Sequence, residues 1–308
     1  MRLPLPWPGV PHVNAWAIAA GSGVVLVDTG LAGPGAFAQL ELAFREAGMR
    51  IEHVRLLVCT HAHSDHYGLA GSIVDEAGCE LWMHPNHGHM TSHLGEPDHM
   101  IDRRIEVARQ SGVPDRYIAM YETRRGEPFP VDRFVPPDRD LLPGVEVDTD
   151  LGRWQVYETP GHAPSHVCLH QPDRGLLLSG DHLLGRISLY YDFGYTPDPA
   201  GEFLRSLDVV DRLGAQLCLA GHARPFREVD RKIAATRGTV LERIERVRAC
   251  LDGVPKTPFA IVPEFLGEPE PTPMMLNWGL NEVLVYLRHL ETRDHAHHHE
   301  GDVETWTL

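Results

Sequence analysis

The sequence has no apolar run of the ~18 residues that would carry a helix across a bilayer. Residues 1–10 hold one arginine and three prolines and lack the charged-then-apolar layout of a secretory leader, so the chain is expected in the cytoplasm, away from membranes. Cysteine is sparse. Cys59, Cys79, Cys168, Cys218 and Cys250 are odd in number, and no two stand at CxxC spacing. This excludes a disulfide framework and reads as reduced thiols, with Cys59, Cys168 and Cys218 set in apolar stretches as packing residues. Positive charge is also short. Against 43 Asp and Glu stand 28 Lys and Arg, a formal net charge of -15, and so acidic a surface penalises a phosphate backbone unless bound cations offset it locally.

What the chain has in excess is histidine, 20 residues in clusters. With 308 residues, 43% hydrophobic and 23% charged, it can bury the core of one large domain, with or without a small second one. Residues 13–20 and 23–28 have the β-branched, apolar character of strands, with a Gly-Ser-Gly turn between them. Residues 37–47 place Phe37, Leu40, Ala43, Phe44 and Ala47 on one helical face, stopped by Gly48. Strands are expected at 54–59 and 80–83 and a helix at 67–77. Two helices follow at 98–110 and 115–123, then a Pro- and Asp-rich loop at 128–143. Strand signals return at 145–147, 154–159, 166–171, 175–179 and 217–220, with a helix at 203–213. Helices are expected at 229–251, 257–266 (interrupted by Pro263) and 274–292, and a last strand at 303–308. The alternation predicts an α/β fold with helices on both faces of the sheets.

The segment Thr60-His61-Ala62-His63-Ser64-Asp65-His66 follows a buried strand. Histidines two apart on extended chain project to one side and can share a metal, while Asp65 and His66, on the turn that follows, can serve another a few ångströms away. Imidazole and carboxylate suit zinc, and also iron or manganese. Three further segments, Thr159-Pro160-Gly161-His162, Ser179-Gly180-Asp181 and Ala220-Gly221-His222, each end a strand with glycine just before the polar residue.

In that order, THAHSDH, TPGHAPSH, SGDHLL and AGHARP resemble the ligand motifs of the metallo-β-lactamase superfamily, especially its glyoxalase II, lactonase and RNase Z branches. The segment ending LVDTG at Gly30 matches as well, so the resemblance covers about the first 225 residues. It implies a four-layer αβ/βα sandwich over 1–229, with a helical insertion at 84–140. It implies a first metal on His61, His63 and His162, a second on Asp65, His66 and His222, and Asp181 bridging them. Asp28 would orient ligands from outside. The cofactors expected are two divalent ions, Zn²⁺ foremost. The chemistry implied is hydrolysis by a metal-bound hydroxide, with Asp65 as catalytic residue orienting the nucleophile or relaying its proton.

Residues 230–308 resemble the winged-helix-like extension of some of these hydrolases, with HAHHHEGDVETWTL as hairpin wing. That raises nucleic acid as a partner, but nine Lys or Arg against thirteen Asp or Glu give the segment -4, without a basic footprint. A packing or homodimer element beside the site is preferred. The expected substrate is a small molecule: a thioester, lactone or ester. The alternatives are a phosphodiesterase or endoribonuclease, a mononuclear-iron persulfide dioxygenase-like oxidoreductase, and a non-enzymatic DNA binder. His84, His87 and His89 read as a strand end and loop beside the pocket, and His166 and His182 as packed or hydrogen-bonded. The insertion is expected to be a lid, with Met90, Met100, Met120 and Tyr121 as candidates for an apolar wall. Arg103, Arg104, Arg124 and Arg125 are candidates to meet an anion or else a solvated face. Tyr190, Tyr191 and Tyr195 are candidate donors to a carbonyl oxygen.

Overall fold

The computed structural model describes residues 1–308, the side chain of Pro97 apart. Its first half opens with a hairpin, β1 (Arg2–Trp7) and β2 (Val10–Asn14), followed by β3 (Trp16–Ala20), β4 (Gly23–Val27), α1 (Ala36–Glu46) and β5 (Val54–Val58). A short helix α2 (Ser64–Tyr67) and α3 (Ala70–Ala77) lead to β6 (Glu80–Met83). The insertion comprises α4 (Gly88–Thr91), α5 (Pro97–Gln110), α6 (Asp115–Glu122) and β7 (Arg139–Asp140). The second half contains β8 (Glu146–Thr149), β9 (Gly152–Glu158), β10 (Val167–Gln171), β11 (Leu176–Gly180), α7 (Pro199–Asp211) and β12 (Leu217–Ala220). Then come α8 (Val229–Ala249), α9 (Pro258–Leu266), α10 (Pro273–Glu291) and the strands β13 (His297–His299) and β14 (Thr305–Thr307).

Two five-stranded sheets, β3-β4-β5-β6-β7 and β12-β11-β10-β9-β8, lie face to face. Strand periodicity explains the layers. In β4, Val24 and Leu26 join a core with Leu40 and Phe44 of α1 and Ile73 of α3, while Val25 and Val27 face the other sheet. In the second sheet Val167 and Leu169 point inward, whereas Cys168 and Leu177 meet α7, α8 and α10. Three cores thus separate four layers in the order helix, sheet, sheet, helix, the expected α/β sandwich. The outer core of the second sheet also takes in Ile101, Ile105 and Ala108 of α5 and Trp306 of β14, so the insertion and the C-terminal helices share one apolar mass with it. All five cysteines are free and buried. Among the described residues, no helix is long and apolar enough to cross a membrane.

Several elements depart from expectation. The strand expected over 13–20 breaks at Ala15, because β2 pairs with β1 while β3 turns to β4. The helix expected at 67–77 is two pieces, separated where Gly68 lies against the backbone of Gly30 and Ala32 with no room for a Cβ. The loop at 128–143 carries β7, an edge strand two residues long. The helix read as starting at Phe203 begins at Pro199, capped by Asp198, whose carboxylate accepts from the Gly201 N–H at 2.8 Å. The hairpin expected at the end of the chain does form, His297–His299 pairing antiparallel with β14 and His298 stacking on Trp306.

At the centre of the inter-sheet layer Trp154 is wholly buried, its indole N–H donating to Thr149 Oγ1 at 3.0 Å. Truncation there leaves a large void between the sheets. Trp154→Ala is expected to lower unfolding stability by ~3–5 kcal/mol in a denaturant titration.

Candidate metal centre

Strands β9, β11 and β12 run in one direction, as do β4, β5 and β6, and the ends of β4, β5, β9, β11 and β12 meet at one edge of the sandwich. Backbone hydrogen bonds stitch the two sheets there. Val167 N–H donates to Thr60 O at 2.8 Å and Asn14 N–H to Gly221 O at 2.7 Å. His61, His63, Asp65, His66, His162, Asp181 and His222 all lie on the segments leaving these ends, and the structure brings all seven together.

Each of the five histidines uses one ring nitrogen on an outer partner. His61 Nδ1 meets Thr60 Oγ1 (3.0 Å), His63 Nε2 meets Asp192 (2.9 Å) and His66 Nδ1 meets Asp28 (2.9 Å). His162 Nδ1 meets the Tyr190 carbonyl (3.0 Å) and His222 Nδ1 the His12 carbonyl (2.8 Å). Where the partner is a carbonyl or carboxylate, the outer nitrogen must carry the proton, and the inner one is the nitrogen available to a metal. Thr60 already gives its hydroxyl proton to Asp28, so it too accepts from His61. The inner nitrogens then converge. His61 Nε2, His63 Nδ1 and His162 Nε2 stand 3.0–3.2 Å apart. Tetrahedral nitrogens at zinc distance would be separated by ~3.3 Å. Lone pairs aimed at one another at this range are repulsive without a cation between them, and they fit one.

The other half mixes charge. His222 Nε2 lies 3.0 Å from Asp181 Oδ2 and 3.3 Å from Asp65 Oδ2, and His66 Nε2 lies 3.4 Å from Asp181 Oδ1 and 3.5 Å from Asp65 Oδ2. Asp181 Oδ2 is also 3.8 Å from His162 Nε2, so this carboxylate reaches towards both halves. His66 Nε2 and Asp181 Oδ1 are buried without a hydrogen-bond partner. The side chains of His61, His63 and His162, and separately of Asp65, His66 and His222, are each grouped closely enough to hold one ion. Gly221 is needed for this crowding, since a Cβ there would collide with Asp181 and with His66.

The two halves differ electrically. Burial, with His66, His63 and His162 around it, keeps His61 well below the usual imidazole range, and burial with His63 beside it brings His162 down to about 4. Burial also opposes charge on His66 and His222, but Asp65 and Asp181 outweigh it, lifting His66 well above its ordinary value and His222 to about 10. Asp65 and Asp181 move the opposite way. Burial would raise them, yet the facing His66 and His222 hold both below the usual carboxylate range. The two carboxylates thus favour positive charge on His66 and His222, the charge that a bound cation would otherwise supply.

Other candidates separate cleanly. Asp28, at φ 64°, accepts from Thr60 N–H, Thr60 Oγ1 and His66 Nδ1, the orienting position expected of it. His166 joins Thr159 Oγ1 to the Asp181 N–H. His182 is packed against Phe203, His84 pairs with Glu158 and His87 with Thr91. His89 does reach the centre's edge, its Nδ1 2.9 Å from Asp192 and its Nε2 2.8 Å from Ser165 Oγ. Tyr190 lies with its ring beside His63 and His162, whereas Tyr191 turns into the core towards Tyr286 and Tyr195 stands at the surface beneath Arg103. Asp192 is the residue the sequence reading missed. It clamps His63 and His89 together, and those two imidazoles, outweighing its burial, hold it well below the carboxylate range.

A family model described as the metallo-beta-lactamase superfamily matches residues 8–222, the span that carries this centre. The chain belongs to the metallo-beta-lactamase superfamily. It is 27% identical over 269 residues to a probable metallo-hydrolase, YqjP, of Bacillus subtilis, spanning 85% of this chain and 82% of that one. To acyl-coenzyme A thioesterase MBLAC2 of Bos taurus it is 26% identical over 228 residues, 70% of this chain and 74% of that protein. The crystal structure of the metallo-beta-lactamase family protein TTHA1429 from Thermus thermophilus matches with a TM-score of 0.82 at 27% identity, over 99% of this chain and 96% of that chain. That likeness extends past residue 222, so the C-terminal helices and hairpin are part of what the two metallo-beta-lactamase-fold chains share.

Two outcomes follow from the geometry. A cation entering between Asp65, His66, Asp181 and His222 competes with protons for the two histidines, both of which are shifted upwards. Zinc titrated into metal-free protein at pH 8 should release protons, read by calorimetry in buffers of unequal ionisation enthalpy, and affinity should rise with pH towards the His222 value of about 10. Asp192→Asn should weaken binding at the three-histidine half by ~10–100-fold in chelator competition.

Proposed function

We propose that the protein is a dinuclear metal-dependent hydrolase of a small carboxylic derivative, a thioester first, with ester and lactone as close relatives. The observation that carries this reading is the convergence of five oriented imidazoles and two carboxylates beside a cavity of about 120 Å³ whose wall includes Tyr190 and Asp192. His61, His63 and His162 would hold one ion, Asp65, His66 and His222 the other, with Asp181 between them. The nitrogen-and-oxygen donor set and the near-tetrahedral nitrogen spacing favour zinc, and iron or manganese would be accepted by the same donors. When bound, such a pair lowers the pKa of a water molecule and polarises a carbonyl.

The chain's own residues supply the rest. Asp65 is held as a carboxylate and faces both His66 and His222, so it is placed to orient a water and take its proton. Tyr190, whose phenol burial keeps protonated, offers a neutral O–H beside the three-histidine half. Helix α5 on one side and α10 on the other wall the cavity, whose size suits a small substrate. Wall residues include Met90, Met100 and Tyr121, in the lid role expected of the insertion, while Met120 is exposed. A relative carrying the name acyl-coenzyme A thioesterase supports the thioester, and the net charge of -15 weighs against a nucleic-acid substrate.

The test is a panel of acyl thioesters, lactones, p-nitrophenyl esters and bis(p-nitrophenyl) phosphate, run on protein of measured metal content. Thioester cleavage with two metals per chain is expected, and Asp65→Asn should lower kcat at least ~100-fold while the ion at the three-histidine half is retained. Cleavage of the phosphodiester alone, or one iron per chain with consumption of oxygen, would overturn the reading.

A further inference from the structure

The cavity next to the centre is charged against the trend of the molecule. In a chain of net charge -15, its charged lining is Arg103, Arg104 and Asp192. Asp192 is already engaged by His63 and His89. The two arginines come from α5, whose two faces do different work. Ile101, Ile105 and Ala108 enter the core, while Met100, Arg103, Arg104 and Val107, at helical spacing of three and four, face the cavity.

Four arginines of the insertion are sorted by their partners. Arg124 pairs with Glu127, and Arg125 with Asp102 and Glu122, all on the surface. Arg103 donates to the Gly194 carbonyl at 3.0 Å and lies 4.3 Å over the Tyr195 ring, which builds it into the wall. Arg104 alone of the four has neither an ion pair nor a hydrogen bond among the described residues, although it is half-buried. A guanidinium that faces a cavity with no protein carboxylate paired to it is free to take an anion from a ligand. Across the cavity Asn277 uses its amide oxygen to accept from Tyr121, leaving its N–H₂ to donate. Tyr190 joins the cavity to His63 and His162.

We propose that Arg104 binds an anionic oxygen group, carboxylate or phosphate, carried by the substrate several bonds from the scissile carbonyl. This rests on the hydrolase reading and narrows its substrate class to acidic thioesters or esters. The anion can sit on the acyl chain or on the thiol, and the substrate arms distinguish the two. Of the hexanoyl thioester and the adipoyl half-thioester of N-acetylcysteamine, only the second carries a carboxylate, on the acyl side. Of hexanoyl-pantetheine and hexanoyl-4′-phosphopantetheine, only the second carries a phosphate, on the thiol side.

The wild-type protein is expected to prefer the anionic member of one pair by at least ~10-fold in kcat/KM, chiefly through KM. Arg104→Met should erase that preference, Arg104→Lys should keep part of it, and Arg124→Met, on the surface, should leave it intact. Preference for the neutral members, no preference, or a preference that survives in Arg104→Met overturns the inference. Calorimetric binding of adipate against hexanoate, and of 4′-phosphopantetheine against pantetheine, needs no turnover. If no thioester is cleaved yet an anionic probe binds more tightly and Arg104→Met abolishes the difference, the hydrolase reading falls and the anion site stands. If thioesters are cleaved and the paired probes bind equally, the anion site falls alone.

Discussion

The centre depends on one carboxylate that touches none of the space it organises. Asp28 leaves β4 in a left-handed conformation, and its two oxygens accept from the Thr60 backbone, the Thr60 hydroxyl and His66 Nδ1. Thr60 in turn receives the Nδ1 proton of His61. One buried side chain therefore fixes the tautomer and direction of an imidazole in each half of the site. A left-handed, non-glycine residue costs ~1–3 kcal/mol of backbone strain. It persists because three hydrogen bonds to a buried charge over-determine it, and the strain is what turns the carboxylate under the His61–His66 segment instead of along the strand.

The same logic, an outer partner for every inward-facing imidazole, draws on both sheets at once. Outer partners come from β4 (Asp28), from the β5 end (Thr60), from the loop after β11 (Tyr190, Asp192) and from β2 (His12). No single sheet exposes so many backbone ends to one point. Two sheets packed through Val25, Val58, Trp154 and Leu178 bring their ends to one rim, and the packing that stabilises the protein also sets the ligand distances.

Sequence picked out the seven side chains that the fold brings together because each sits in a short local pattern at a strand end, with glycine where backbone must approach closely. The layers were legible for the same reason, as runs such as Gly23–Val27 and Val54–Val58 announce buried parallel strands. The hairpin β1–β2 was not, although Leu3 and Leu5 alternate inward, because Pro4 and Pro6 disguise a strand that tolerates them only at an edge. Asp192 gave no signal at all. It stands in a loop of ordinary composition, and its role exists only once His63 and His89, 129 and 103 positions away in the chain, are folded against it. Arg103 and Arg104 are likewise indistinguishable as letters. Only the carbonyl of Gly194 and the ring of Tyr195 tell which of the two is spoken for.

The backbone bond from Asn14 to Gly221, with Val13 bridged to His222, joins residues 207 and 209 positions apart. A chain emerging from the ribosome passes most of its synthesis with His61 to His66 already made and His222 still to come. The last strand of the second sheet closes the cluster like the final stave of a barrel, bringing His222 against Asp65 and Asp181. The complete group of seven side chains is therefore a property of the whole double sheet, and a copy truncated before β12 lacks it.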